Sequence, residues 1–353
     1  NAASIMQAAL QIILLLLLRA YLAYLLVQLA GTIFVNIYVA HLADKRYPEV
    51  SSYKKEALSV NEKQQLLKDT GALFLTKIGH VALNGTDNII ISAVVGVLWV
   101  GRLSNYTLIC DSVTSVLCQI TAAITGSLGN FFATENKQAG YTLFQKIDFL
   151  NFWLYGFSFI ALVTLLDPFV QLWAGGRFVL GLSISVAIAI NFFVAGYMNT
   201  LWVFRSTLGL FKQGKFRPIL VAVLNIVLSI VLGKLWGVFG VLFATFLSRA
   251  SINLWYDPIV LHKYGFGVSS KPFFLRYLQR IILMTAVSLA MLAVRSVVLP
   301  AEATILRFAA MTAITAVVPN AVFWLAYRRC DEYAYFRSVA KDCVITPIRK
   351  KLR

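Results

Sequence analysis

The chain has 353 residues, of which 59% are hydrophobic and 13% charged, and a formal net charge of +17; its mean hydropathy is +0.76. Soluble domains carry about 25% charged residues, so the composition argues against a soluble globular fold. The excess of positive charge does not indicate nucleic acid, because the basic residues sit in short loops between apolar runs rather than on one amphipathic face. They read as topology signals and as contacts for anionic lipid headgroups.

A membrane-crossing helix needs about 20 mostly apolar residues, and ten apolar segments follow one another along the chain. Residues 5–18 form a short first span that closes at Arg19, and residues 22–40 form the second. A polar stretch, 41–70, then carries Lys45, Arg46, Lys54, Lys55, Lys63 and Lys68. Residues 71–95 make the third span, and a turn at 96–101 leads into a long, more polar fourth span at 103–132. The fifth, 149–166, is expected to stop at Asp167-Pro168, since proline lacks an N–H and clashes with the preceding turn. Residues 179–204 are the sixth. Residues 219–233 and 236–256 form a tight pair around Lys234, and 281–298 and 305–327 close the set before a basic tail. Strict alternation over about ten residues, the mark of a membrane β-barrel, is absent. The expected fold class is an all-α integral membrane protein.

The loops alternate in basic content. On this reading 25 Lys and Arg residues, Arg205, Arg249 and Arg280 among them as loop cations, fall on one side and 6 on the other, leaving Lys77 inside a span. The positive-inside rule makes the richer side cytoplasmic, including the 41–70 stretch and the C-terminus. Four cysteines, Cys110, Cys118, Cys330 and Cys343, have no metal spacing and read as buried or cytosolic thiols; His41, His80 and His262 form no zinc signature. No signal peptide is visible. The chain begins at Asn1 inside an apolar region, so the expectation is a fragment whose earlier spans are missing.

Ionisable residues within spans are functional candidates by default, because each costs several kcal/mol unless it meets water or a partner. Lys77, His80, Asn84 and Asp87 in the third span are spaced by 3, 4 and 3 residues, which puts them on one helix face. A stripe about 15 Å long that combines a cation, an imidazole, an amide and a carboxylate is expected to line a wet cavity. The alternative is a polar seam zipped against a neighbouring helix, with Lys77 snorkelling to the edge. In the fourth span Ser112, Ser115, Gln119, Ala122 and Gly126 follow helical spacing, with Asn105 and Asp111 near its start. Asn191, Asn199 and Arg205 punctuate the sixth span, and Asn225 and Ser229 the seventh. Trp99, Trp173, Trp236, Trp255, Tyr106 and Tyr264 lie near span ends and read as interfacial belts. No nucleophile elbow, paired-carboxylate loop or phosphate-cradling glycine motif is present, so an enzyme is not expected.

The run from Asp69 through Lys77-Ile-Gly, Asn84-Gly-Thr-Asp-Asn-Ile-Ile-Ile-Ser and Gly101-Arg-Leu-Ser-Asn-Tyr-Thr-Leu-Ile resembles the start of the second half of bacterial polysaccharide flippases of the Wzx type. Gly209-Leu-Phe-Lys-Gln-Gly-Lys-Phe-Arg-Pro-Ile, Asn225 with Ser229, Trp236-Gly-Val-Phe-Gly-Val and Asp257-Pro-Ile-Val-Leu-His-Lys-Tyr are similar to the same family. That family shares a superfamily with multidrug antiporters of the MATE class. The resemblance spans about residues 10–280 and implies two facing six-helix bundles with two extra C-terminal helices. Laid on this chain, residues 1–41 are the last two helices of an incomplete first bundle whose first four helices are missing. Residues 42–70 are then a cytoplasmic linker, 71–265 the second bundle, 266–328 the extra helices and 329–353 a basic tail.

The resemblance implies a polyprenyl-diphosphate-linked oligosaccharide as substrate, moved across the bacterial cytoplasmic membrane by alternating access without a cofactor or metal. Placement assigns Lys77, and less directly Arg205, to the diphosphate, and Asn84, Asn88, Asn105 and Gln119 to sugar hydroxyls. His80, Asp87 and Asp111 are assigned to exchange of H+ or Na+. The partners expected are the lipid-linked glycan and membrane lipids, not nucleic acid. The rivals are a MATE-like cation-coupled drug antiporter, against which Lys77 in the stripe argues, and a membrane glycan polymerase, for which no sizeable outer loop is present.

Overall fold

The computed structural model describes residues 9–14, 21–48, 59–210, 213–214, 216–299 and 304–340. Every regular element among them is helical. Six of the helices are long and apolar enough to cross a membrane, as the composition requires. The chain divides into two compact units, residues 1–65 and 66–353.

In the first unit, residues 9–14 are helical and α1 spans Tyr21–Arg46, six residues past the expected end of the second span. The rest of the expected first span, with Lys54 and Lys55, lies outside the described residues, as do Lys212, Lys215, Cys343 and the end of the tail. Helix α2 (Val60–Val94) begins in this unit and continues into the second. Its start is a capping box: the Glu62 carboxylate accepts from Ser59 N at 2.9 Å and Glu62 N donates to Ser59 Oγ at 3.3 Å. These contacts hold the Glu62 carboxyl below its usual range.

The second unit continues with α3 (Val97–Thr134), α4 (Lys137–Trp173), α5 (Leu182–Thr207), α6 (Arg217–Val260), α7 (Lys271–Val298), α8 (Ile305–Tyr327) and α9 (Asp331–Ala340). Helices α2 and α3 run unbroken for 35 and 38 residues, and the polar residues that marked α2 as functional also dilute its hydropathy. The expected stop at Asp167-Pro168 does not occur, and α4 runs on past that dipeptide to Trp173. Away from water, the one hydrogen bond that Pro168 forfeits does not open the helix. Asp257-Pro258 is likewise carried inside α6.

The pairing expected around Lys234 is present inside α6. Gly237 adopts φ 61, ψ −139, a left-handed conformation that suits glycine, and the chain reverses there. Asn225 Nδ2 lies 3.0 Å from Thr245 Oγ1, although 20 residues of straight helix would separate them by about 30 Å. The arms 217–236 and 238–260 therefore lie side by side. At Gly240 a Cβ would overlap the Leu232 carbonyl, so the close approach requires glycine there too. A π-helical turn, Leu261–Phe266, follows.

Helices α7 and α8, expected as extras, are built into the core of this unit. Arg280 of α7 pairs with Asp148 of α4 at 2.5 Å, both buried. Its guanidinium lies 5.2 Å from the Phe152 ring, and Trp153 Nε1 donates to Asn320 Oδ1 of α8 at 2.8 Å. Arg280 and Arg205 entered the topology tally as loop cations. Both are buried and ion-paired, so neither reports which side of the membrane its helix end occupies.

Candidate functional site

A cavity of about 600 Å³ opens among α2, α3, α4, α5 and the second arm of α6. Asp87 and Asn88 come to it from α2, Thr107, Asp111 and Thr114 from α3, and Tyr155 from α4. Asn191 and Asn199 come from α5, and Thr245 and Arg249 from α6. Two smaller apolar hollows, of about 390 and 370 Å³, differ in kind. One is lined by Ile109, Phe157, Leu165 and Phe308 and the other by Val186, Phe193, Phe246 and Met284.

Helical register explains the lining. On α3, residues 107, 111, 114 and 118 recur at 4, 3 and 4 and all face the cavity. The stripe expected from Ser112, Ser115 and Gln119 is one residue away, a rotation of about 100°, and those three side chains are exposed elsewhere on the helix. On α5, Asn191, Ala195 and Asn199 repeat at 4. The wall between α4 and α5 is tight, because the Tyr155 ring lies where a Cβ on Gly196 would be.

Hydrogen bonding at the cavity is incomplete. Thr245 Oγ1 lies 2.7 Å from Asp87 Oδ2 and accepts from Asn225 Nδ2 at 3.0 Å; the same amide reaches Ser229 Oγ at 3.3 Å. Asn225 and Ser229 are fully buried. Yet Asp87 Oδ1, Asn225 Oδ1 and Asn191 Oδ1 have no hydrogen-bond partner among the described residues. Buried oxygen acceptors left open cost about 1–3 kcal/mol each, so this corner favours an added proton or a cation. Asn191 uses its amide hydrogens to tie α5 to α6, donating to Leu242 O at 2.8 Å and Ala187 O at 3.0 Å. Arg249 Nη1 lies 3.5 Å from Asn191 O.

Comparison with protein-family models, curated proteins and solved structures finds no match. The site therefore has to be read from its own chemistry.

Of the residues expected from sequence, Asp87, Asn88 and Asp111 meet in the cavity. Lys77 is exposed on α2 and is not among the lining residues; neither are Asn105, which is half-buried on α3, or Gln119. His80 and Asn84 share the Lys77–Asp87 face by register, but their side chains lie outside the described residues. Arg205 does not face the cavity. It is 4% exposed, paired with Asp257, and donates to Gln213 O at 2.6 Å. Placement at the end of a span suggested a cavity cation; burial beside a carboxylate makes it a lock between α5 and α6.

Arg249, counted among the loop cations by charge alone, lies within the 236–256 span. Its position four residues after Thr245, on the same face, was the available signal. Tyr106 was expected at the interface. It is fully buried and donates to Asp167 Oδ1 at 2.7 Å.

Proposed function

We propose that the protein is a transporter that moves a polyprenyl-diphosphate-linked oligosaccharide across the bacterial cytoplasmic membrane by alternating access. The observation that carries this reading is the cavity of about 600 Å³ walled by amides, hydroxyls, two carboxylates and one guanidinium inside a chain of long apolar helices. Asn88, Asn191 and Asn199 offer donors and acceptors to sugar hydroxyls. Arg249 takes the diphosphate, the role expected of Lys77, since a guanidinium matches phosphate oxygens bidentately. Asp87, with one oxygen open beside Asn225 and Thr245, takes the H+ or Na+ whose gradient drives the cycle.

The lining by both Asp87 and Asp111 favours a second reading, a cation-coupled exporter of small organic cations, for which carboxylates are the natural partners. Proteoliposomes separate the two. The protein should move a fluorescent polyprenyl-diphosphate-linked glycan between leaflets, and Arg249→Gln should slow it at least tenfold at matched protein level. Gradient-driven movement of an organic cation with no glycan movement would replace the first reading by the second.

A further inference from the structure

Three of the carboxylates within the long helices of the second unit each share their surroundings with one arginine. Asp148 pairs with Arg280, Asp167 lies 3.9 Å from Arg295, and Asp87 lines the cavity with Arg249. Asp257, on α6, differs. Its Oδ1 pairs with both Arg205, from the end of α5, and Arg217, from the first turn of α6. All three side chains are nearly buried, at 5%, 12% and 8% exposure for Arg205, Arg217 and Asp257. The cluster thus holds one positive charge more than it neutralises.

Backbone carbonyls answer part of Arg205: its Nη2 donates to Gln213 O at 2.6 Å and lies 3.3 Å from Leu210 O. The Nε atoms of both arginines, however, have no acceptor among the described residues. Two buried N–H donors and an unmatched charge are costly in a low-dielectric setting, and an anion supplied from outside relieves both.

The surroundings narrow which anion. Trp255 and Tyr264, on the same end of the second arm and the turn after it, are exposed, and Lys263 Nζ sits 5.3 Å from the Tyr264 ring. Exposed Trp, Tyr and Lys together mark the headgroup level of a bilayer. The cluster therefore lies where lipid phosphates lie. Gly214, next to the Gln213 carbonyl that accepts from Arg205, has a φ of +76, and a Cβ there would meet the Tyr256 ring. The Arg217 guanidinium in turn lies 5.8 Å from that ring, so the donors are held in place.

We propose that the Arg205–Asp257–Arg217 cluster is a phosphate site, filled by the headgroup of an anionic phospholipid, that braces the junction of α5 with both arms of α6. The site is separate from the cavity and does not depend on what the cavity carries.

The test is thermal unfolding of the whole chain in detergent, followed by tryptophan fluorescence, with phosphatidylglycerol, phosphatidylcholine or inorganic phosphate added at equal concentration. Phosphatidylglycerol should raise the midpoint by about 3 °C over phosphatidylcholine. Arg217→Gln should remove most of that increment, while Lys263→Gln, an exposed cation at the same level, should keep it. Equal stabilisation by inorganic phosphate would retain the phosphate site but overturn the lipid as its source. The same increment in wild type and Arg217→Gln, or an equal loss in Lys263→Gln, would overturn the site itself. Should Arg217→Gln not fold, Asp257→Asn gives the second reading. It raises the excess charge, so the increment must grow, and an unchanged or smaller one sinks the proposal.

Discussion

Asp87 and Asp167 are both carboxylates inside long helices, yet their surroundings are opposite. Asp167 Oδ1 accepts from Tyr106 OH and Ser185 Oγ, each at 2.7 Å, and Arg295 lies 3.9 Å from its other oxygen. Tyr106 OH in turn accepts from Leu180 N at 2.9 Å, so α3, α4 and α5 are tied through one carboxylate. Asp87 receives one hydroxyl, from Thr245 at 2.7 Å, and its buried Oδ1 has no hydrogen-bond partner among the described residues. A carboxylate whose oxygens are filled holds helices together. One left half open, beside a polar cavity, is available for chemistry. Burial alone does not separate these two carboxylates; the partners of their oxygens do.

The sharpest way to break that contrast is to remove each carboxylate and compare stability with transport. Asp167→Ala strands two buried hydroxyls and loses hydrogen bonds to a charged group worth about 1.5–3 kcal/mol each. Its unfolding midpoint in detergent should drop by more than any other single change at the two sites, and transport per folded molecule should survive. An unfolding midpoint equal to wild type would show that the Tyr106–Asp167–Ser185 contacts do not hold the bundle.

Asp87→Asn should do the reverse. The amide oxygen still accepts from Thr245, so stability should change by about 1 kcal/mol or less, while dependence of glycan movement on a proton or sodium gradient should vanish. Transport by Asp87→Asn that responds to gradients as wild type does would remove Asp87 from coupling.

Apolar length made most of the fold legible in the sequence. The helix at Ile305–Tyr327 has the bounds read from composition, and the reversal beside Lys234 was marked by a glycine-bounded break in two apolar runs. What stayed hidden was pairing. Nothing in the local pattern says that Arg280, beyond the start of its helix, reaches Asp148 across 132 residues, or that Tyr106 turns inward to Asp167 rather than outward to lipid. Such partners are set by tertiary packing, and the periodicity of a single helix carries no record of them. The same limit explains the cavity. Register put Asp87 on a polar face of α2, but on α3 it singled out Ser112, Ser115 and Gln119, one residue from the Thr107, Asp111 and Thr114 face that lines the cavity.

The smallest effect sharpens the comparison most. Lys77 lies ten residues before Asp87 on the same face of α2, about 15 Å along the axis, and is exposed. If a charge matters here because it borders the cavity, position on the stripe is not sufficient. Arg249, which lines the cavity, should then outweigh Lys77. In proteoliposomes, Lys77→Ala should slow glycan movement less than threefold, close to the exposed control Lys234→Ala, against tenfold or more for Arg249→Gln. A Lys77→Ala defect as deep as that of Arg249→Gln would mean that the substrate path follows the α2 stripe beyond the cavity wall. In that case the half-open carboxylate would be one station on a longer polar track rather than its centre.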